Sequence, residues 1–173
     1  MYLTTGVYAW LILSSLIVIY DCSYVLLRPA SMRGGSLFEH FSAYETYIKY
    51  DTLYGNMNDR LVVIQAWLTL VEVAVALFGM LLSAFGSKSG KFVGAMLVVI
   101  ISGFTFWKTV IYCWYAYGFM TPESFDFSID SIYSLYFPIS LWIIFPVYTM
   151  WVVPRNILRA LREAPQKGKS KRQ

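Results

Sequence analysis

Four apolar stretches, each long enough to cross a bilayer, decide what this chain can fold into. Residues 7–27, 61–85, 92–118 and 131–153 each reach the roughly 20 residues that a hydrocarbon core of ~30 Å demands of a helix. A backbone in that medium must satisfy its own N–H and C=O groups, and for segments of this length the helix does so. The sequence predicts an all-α membrane protein, a bundle of four transmembrane helices. Charged residues make up 14% of the chain, against about 25% in an ordinary soluble domain, which agrees with a membrane protein. One membrane domain over 1–158 with a basic tail over 159–173 takes up all 173 residues.

The first stretch is not a secretory signal by composition. It has no basic segment before it, carries Asp21, and runs into Leu-Arg-Pro where a cleavage site would place small residues. It is expected to stay as a helix, starting from an N-cap at Thr4 or Thr5 and ended by Pro29.

Basic residues set the expected orientation. Arg155, Arg159, Arg162, Lys167, Lys169, Lys171 and Arg172 follow the fourth stretch, and Lys88 and Lys91 lie between the second and third; the 119–130 loop holds Glu123, Asp126 and Asp130 and no base. Cytosolic segments collect Lys and Arg, so both termini are expected in the cytosol. Arg28 and Arg33 argue locally the other way, in a 28–60 loop that also holds Glu39, Glu45, Asp51 and Asp59. Lysines three and five places from the end, Lys169 and Lys171, have the spacing of a dilysine retrieval signal for the endoplasmic reticulum, an address that a receptor reads. The alternative use of the tail is attraction to anionic head groups.

Three ionisable side chains, Asp21, Glu72 and Lys108, lie inside the apolar stretches. Such residues are costly there and face a bundle interior, where a ligand, a proton or a partner compensates them. At 1.5 Å per residue they lie ~9, ~16 and ~15 Å from the lumenal ends of their helices, so one cavity could hold all three. Lys108 can pair with Asp21 or Glu72, and in the plainest case the pair only joins helices. One carboxyl is then left over, and must be protonated, hydrated or matched by an incoming cation. Aromatic residues crowd these charges: Trp67 before Glu72; Trp107, Tyr112, Trp114 and Tyr115 around Lys108; Tyr133, Tyr136, Phe137, Trp142 and Phe145 in the fourth stretch. Interfacial anchoring accounts for many of them. The sharper reading is an aromatic-walled cavity with carboxylates, suited to a flat apolar ligand carrying positive charge. Pro138 and Pro146 would free carbonyls in the fourth helix and help open it.

Several strings carry a resemblance: Asp21-Cys-Ser-Tyr-Val-Leu-Leu-Arg28-Pro29 with the following Ser-Met-Arg-Gly-Gly; Tyr50-Asp51-Thr-Leu-Tyr54-Gly55; Asn58-Asp59, Gln65 and Glu72; Phe106-Trp107-Lys108-Thr-Val-Ile-Tyr112; and Leu141-Trp142-Ile-Ile-Phe-Pro146. In this order and on four helices they resemble the EXPERA family, which includes the emopamil-binding sterol isomerases and the sigma-two receptor. The resemblance implies a four- to five-helix fold of the endoplasmic reticulum membrane, with a lumen-side cavity for sterols and cationic amphiphiles. In the isomerases a carboxylic acid protonates a ring double bond, and carboxylates and aromatic faces stabilise the carbocation until a neighbouring proton leaves. By resemblance Asp21 matches the acid of the first helix, Glu72 that of the second and Trp142 the tryptophan of the last. Asp21 and Glu72 are the catalytic candidates if the chain is an isomerase; Asp21, Asp51, Gln65, Glu72, Trp107, Lys108, Tyr112 and Trp142 are the ligand-binding candidates.

This chain also departs from the family. Ile17 stands where the isomerases have a histidine, Ile139 where they have an asparagine, and Thr109 where they carry an acid; Lys108 adds a cation where a carbocation wants none. General acid catalysis needs a donor and an acceptor of protons, which Asp21 and Glu72 could still supply.

Other chemistries have little to rest on. His40 is the lone histidine, too few for a multi-imidazole metal site, and is expected to be solvated. Cys22 and Cys113 fall within spans, where a thiol is a small apolar filler unless the first and third helices touch. No phosphate-binding glycine loop occurs, no cofactor is expected, and the tail is too short to argue for nucleic acid. Gly90 and Gly94 form a GxxxG that could bring two backbones together, within the chain or in a homodimer, though the pattern is frequent in membrane helices. In the 28–60 segment Gly34-Gly35 and Tyr54-Gly55-Asn56 read as turns and 37–50 as a short amphipathic helix, a lid over the cavity mouth or a plain connector. The expected partners are the membrane and a sterol or other lipid. Function then divides between a non-catalytic sterol-binding protein and a sterol isomerase, with a purely structural scaffold as the third reading.

Overall fold

In the computed structural model, which describes residues 2–117 and 128–163, the chain is an all-α bundle of four membrane-spanning helices. Span one is Thr5–Leu26, span two Arg60–Phe85, span three Lys88–Tyr117 and span four Ile129–Glu163. The protein is a multi-pass membrane protein by the length and apolar character of these helices. Span three begins four residues before its expected start, and span four carries Arg155, Arg159 and Arg162 into its last turns, past the expected boundary. The dilysine pair and the acids Glu123 and Asp126 lie outside the described residues.

Local chemistry sets several of the ends. Thr4 Oγ1 accepts the Val7 N–H at 3.3 Å, and Asp59 Oδ1 accepts those of Leu61 and Val62 at 2.9 and 3.2 Å. Each cap satisfies donors that have no partner in the first helical turn. Span four opens irregularly: Ile132–Tyr136 is π-helical, with the Phe137 N–H bonding to the Ile132 carbonyl. Pro138 follows directly and lacks an N–H of its own, so this wider turn re-satisfies the backbone around it.

Consecutive spans are neighbours, span two packing on spans one and three and span three on span four. Spans two and three come closest through glycines. A Cβ at Gly94 would stand 2.4 Å from the Gly79 carbonyl oxygen and 2.6 Å from the Ser83 nitrogen, so both backbones must be bare here. Gly90, the other half of the expected GxxxG, meets only Ser87 Oγ at 3.5 Å and joins no helices. The close contact pairs Gly94 with Gly79, one residue from each of two antiparallel helices within this chain.

Two cores divide the bundle along its length. Leu3, Val7, Leu11, Ala76, Ala95, Val98, Val153 and Ile157 close one end. Cys22, Tyr24, Val25, Phe41, Val62, Ala66 and Tyr112 make the other, which the 27–59 connection covers. That connection holds a 3₁₀ turn at Phe38–Phe41 and short helices at Tyr44–Tyr50 and Thr52–Gly55. Gly34 takes φ +84° in the turn leading into it, a conformation that favours glycine. Arg28 anchors the connection, its guanidinium donating to the carbonyls of Val25, Tyr54 and Asn56.

Candidate functional site

Between the two cores the spans line an open-sided cavity of about 510 Å³, within the range of about 300–1,000 Å³ that small-molecule sites occupy. Antiparallel packing gives it polarity. Trp10 and Leu11 of span one, Ala76 of span two, Ile101 of span three and Pro146 of span four form its apolar end. Asp21, Gln65, Lys108 and Ser134 of the spans, with Tyr44, Tyr47 and Tyr54 of the connection, form its polar end. Trp10 joins spans one and four across the seam, stacked on Phe145 at 4.1 Å and edge-on to Trp142 at 5.5 Å.

Lys108 pairs with Glu72. Its Nζ lies 2.7 Å from Glu72 Oε2 and 2.5 Å from Thr69 Oγ1, while Thr105 Oγ1 donates to the same Glu72 oxygen at 3.0 Å. Thr69 and Glu72 are three apart on span two, Thr105 and Lys108 three apart on span three. Residues at this spacing share a helix face, so two facing i, i+3 pairs assemble the whole cluster. Both ion-pair side chains are 14% exposed, which shields the pair from competing solvent.

Asp21 is the carboxyl left over. Tyr44 donates to its Oδ1 and Tyr54 to its Oδ2, each at 2.8 Å, and no Lys, Arg or His among the described residues lies within ion-pair distance of it. Stacking holds the donors in place. Tyr44 lies parallel to Tyr24 of span one at 3.9 Å, and Tyr54 lies near-parallel to Tyr44 at 6.2 Å. Burial raises the hydroxyl pKa values of Tyr44 and Tyr54, with the Asp21 charge adding to the effect, so both remain donors.

A second carboxyl lies behind this layer. Asp51 is 1% exposed; its Oδ2 accepts from Tyr112 at 2.6 Å and Tyr47 at 3.1 Å. Burial pushes this carboxyl above its ordinary pKa against the opposing pull of the two hydroxyls.

The expected site residues are thus partly regrouped. Asp21, Gln65, Glu72, Lys108, Tyr112 and Trp142 line the cavity. Asp51 does not; it supports the wall from behind, through Tyr47 and Tyr112. Trp107 is 62% exposed on the outer face of span three, one position from Lys108 and therefore turned about 100° from it. Trp67, Trp114 and Tyr115 face outward as well. Besides Tyr112 and Trp142, the aromatic wall comes from Trp10, Tyr20, Tyr44, Tyr47 and Tyr54, which sequence reasoning missed. Its signal was present in the Tyr44 and Tyr47 spacing, since i and i+3 residues of the Tyr44–Tyr50 helix share the face turned to the bundle. His40 is exposed, its carbonyl accepting the Tyr20 hydroxyl at 2.6 Å. Both cysteines are free thiols, Cys22 donating to the Ala66 carbonyl of span two at 3.4 Å.

Comparison of the chain with protein-family models, curated proteins and solved structures returns no match.

Proposed function

We propose that this chain binds a sterol or a cationic amphiphile in its intramembrane cavity, as an EXPERA-like protein of the endoplasmic reticulum membrane. The observation that carries the reading is Asp21, a carboxyl in the wall of a cavity of about 510 Å³ whose oxygens are held by two tyrosine hydroxyls and, among the described residues, by no cationic side chain. A carboxyl held in this way offers its remaining lone pairs to a ligand ammonium or hydroxyl. Beyond it the apolar end, from Val18 to Ala76 and Ile101, matches the ring body of such a ligand. The membrane address rests on the dilysine spacing, and cytosolic termini rest on the basic residues around span four.

Sterol isomerisation is the second reading, favoured by one observation: Asp21 and Glu72 line the same cavity and could act as proton donor and acceptor. Against it stand the engagement of Glu72 Oε2 by Lys108 and Thr105, and Ile17 and Ile139 in the lining, where the family's isomerases carry polar groups. Binding without turnover fits this arrangement better.

Displacement of a radiolabelled cationic amphiphile from the purified chain in nanodiscs tests the proposal. Asp21→Asn is expected to weaken binding by roughly tenfold or more, the effect of losing a charge-assisted contact, and Glu72→Gln to weaken it less. Equal affinity in Asp21→Asn and the unaltered chain would sink the assignment. Double-bond migration in a ring-B sterol followed by mass spectrometry would establish the isomerase instead.

A further inference from the structure

Among the described residues three charged side chains line the cavity, Asp21, Glu72 and Lys108. Glu72 and Lys108 cancel at 2.7 Å, and burial favours the uncharged form of Asp51 behind the wall. The cavity therefore holds one net negative charge, at Asp21, where the same chain without Lys108 would hold two. Stability alone does not account for the lysine. A buried ion pair replaced by apolar residues of similar size often costs nothing, and the closest packing of spans two and three rests on Gly79 and Gly94, away from the pair. What Lys108 changes is the charge that an incoming ligand meets.

We propose that Lys108 is a specificity-determining residue: by neutralising Glu72 it limits the cavity to amphiphiles with a single positive charge and excludes dications. This deepens the binding reading and rests on it. One ammonium at Asp21 leaves the occupied cavity neutral. A second would find Glu72 Oε1 open to a hydrogen bond, but the charge of that carboxylate is already matched by Lys108 at Oε2. One cation would then stand uncompensated in a largely apolar site, next to a lysine of the same sign, which is costly. Span two sets the depth at which this applies. Cys22, next to Asp21, bonds to the Ala66 carbonyl, and Glu72 lies six residues or ~9 Å further along that helix. The excluded charge is thus one placed roughly six methylenes along the ligand from the amine at Asp21.

Three probes of equal length carry no charge, one charge and two: tridecan-1-ol, tridecan-1-amine and N-hexylhexane-1,6-diamine. Their binding to the full chain in nanodiscs is measured relative to their partition into empty nanodiscs. The amine is expected to bind roughly tenfold or more tightly than either the alcohol or the diamine, the value of one charge-assisted contact. In Lys108→Met the diamine should overtake the amine, because Glu72 is free to match the second ammonium. In Lys108→Met/Glu72→Gln, which again holds one net negative charge, the amine should lead as in the unaltered chain. In Glu72→Gln, where Lys108 offsets Asp21, the amine should lose much of its lead over the alcohol. Equal binding of amine and diamine by the unaltered chain overturns the charge limit and leaves the binding reading standing. So does a diamine that binds Lys108→Met no better than the double variant. An amine that never outbinds the alcohol overturns the Asp21 reading as well. Should Lys108→Met not fold, Glu72→Gln decides, since an amine lead undiminished there overturns the charge limit.

Discussion

At the end of the bundle where span one begins, spans two and three approach until the Gly79 and Gly94 backbones touch, and apolar side chains from all four spans fill what remains. At the opposite end the same helices stay far enough apart for a cavity, and the gap is walled by tyrosines that the 27–59 connection carries inward. Close contact at the first end needs only dispersion and the absence of a Cβ. The second end depends on hydrogen bonds between side chains far apart in sequence, a Lys–Glu pair among them. A bundle sealed at both ends by small residues would have no site, and one held only by polar contacts would have little to fix its helices. Packing at one end supplies the rigidity with which charges at the other can be held.

That division can be broken at either end. Lys108→Met should have the largest effect, about 3 kcal/mol, because it leaves the largely shielded Glu72 without its cation. Thermal unfolding in detergent would read the loss, and adding Glu72→Gln should recover most of it; a single variant as stable as the unaltered chain would show that the pair does not hold this end together. Gly94→Ala comes next, at about 2 kcal/mol, since its Cβ would meet the backbone of span two. Gly90→Ala, with only Ser87 Oγ nearby, should be neutral or slightly stabilising in the same assay. Equal effects at the two glycines would contradict the Gly79–Gly94 contact.

Smaller changes sharpen the polar end. Tyr54→Phe removes one of the donors to Asp21 and should cost about 1 kcal/mol, seen as faster hydrogen exchange over residues 44–54 with no change near Gly94. The smallest effect concerns pH. Because burial raises the Asp51 pKa, the folded protein holds that proton more tightly than the unfolded chain. No penalty applies below the unfolded value of about 3.9. As pH rises from there through the raised value, the unfolded chain ionises first and stability falls. Asp51→Asn should flatten this slope in midpoints measured between about pH 4 and 7; an identical slope in both proteins would remove Asp51 as its source.

Apolar length was enough to determine four membrane-spanning helices, because hydrocarbon leaves a backbone of that length no other way to satisfy its polar groups. It was also enough to single out Asp21, Glu72 and Lys108 as interior residues, because a charge in such a segment has few places to go. The Thr4 cap was legible for a similarly local reason. Which acid takes the lysine was not, since the answer depends on the register between spans two and three. There Thr69 and Glu72 happen to face Thr105 and Lys108. Nor could composition distinguish Trp107, turned outward, from its neighbour Lys108, turned inward, when both lie in the same apolar run. The tyrosines around Asp21 were hidden most deeply, because 23 and 33 residues of chain separate Tyr44 and Tyr54 from it. Their contacts exist only once the connection folds back over the end of the bundle, and only tertiary structure decides that.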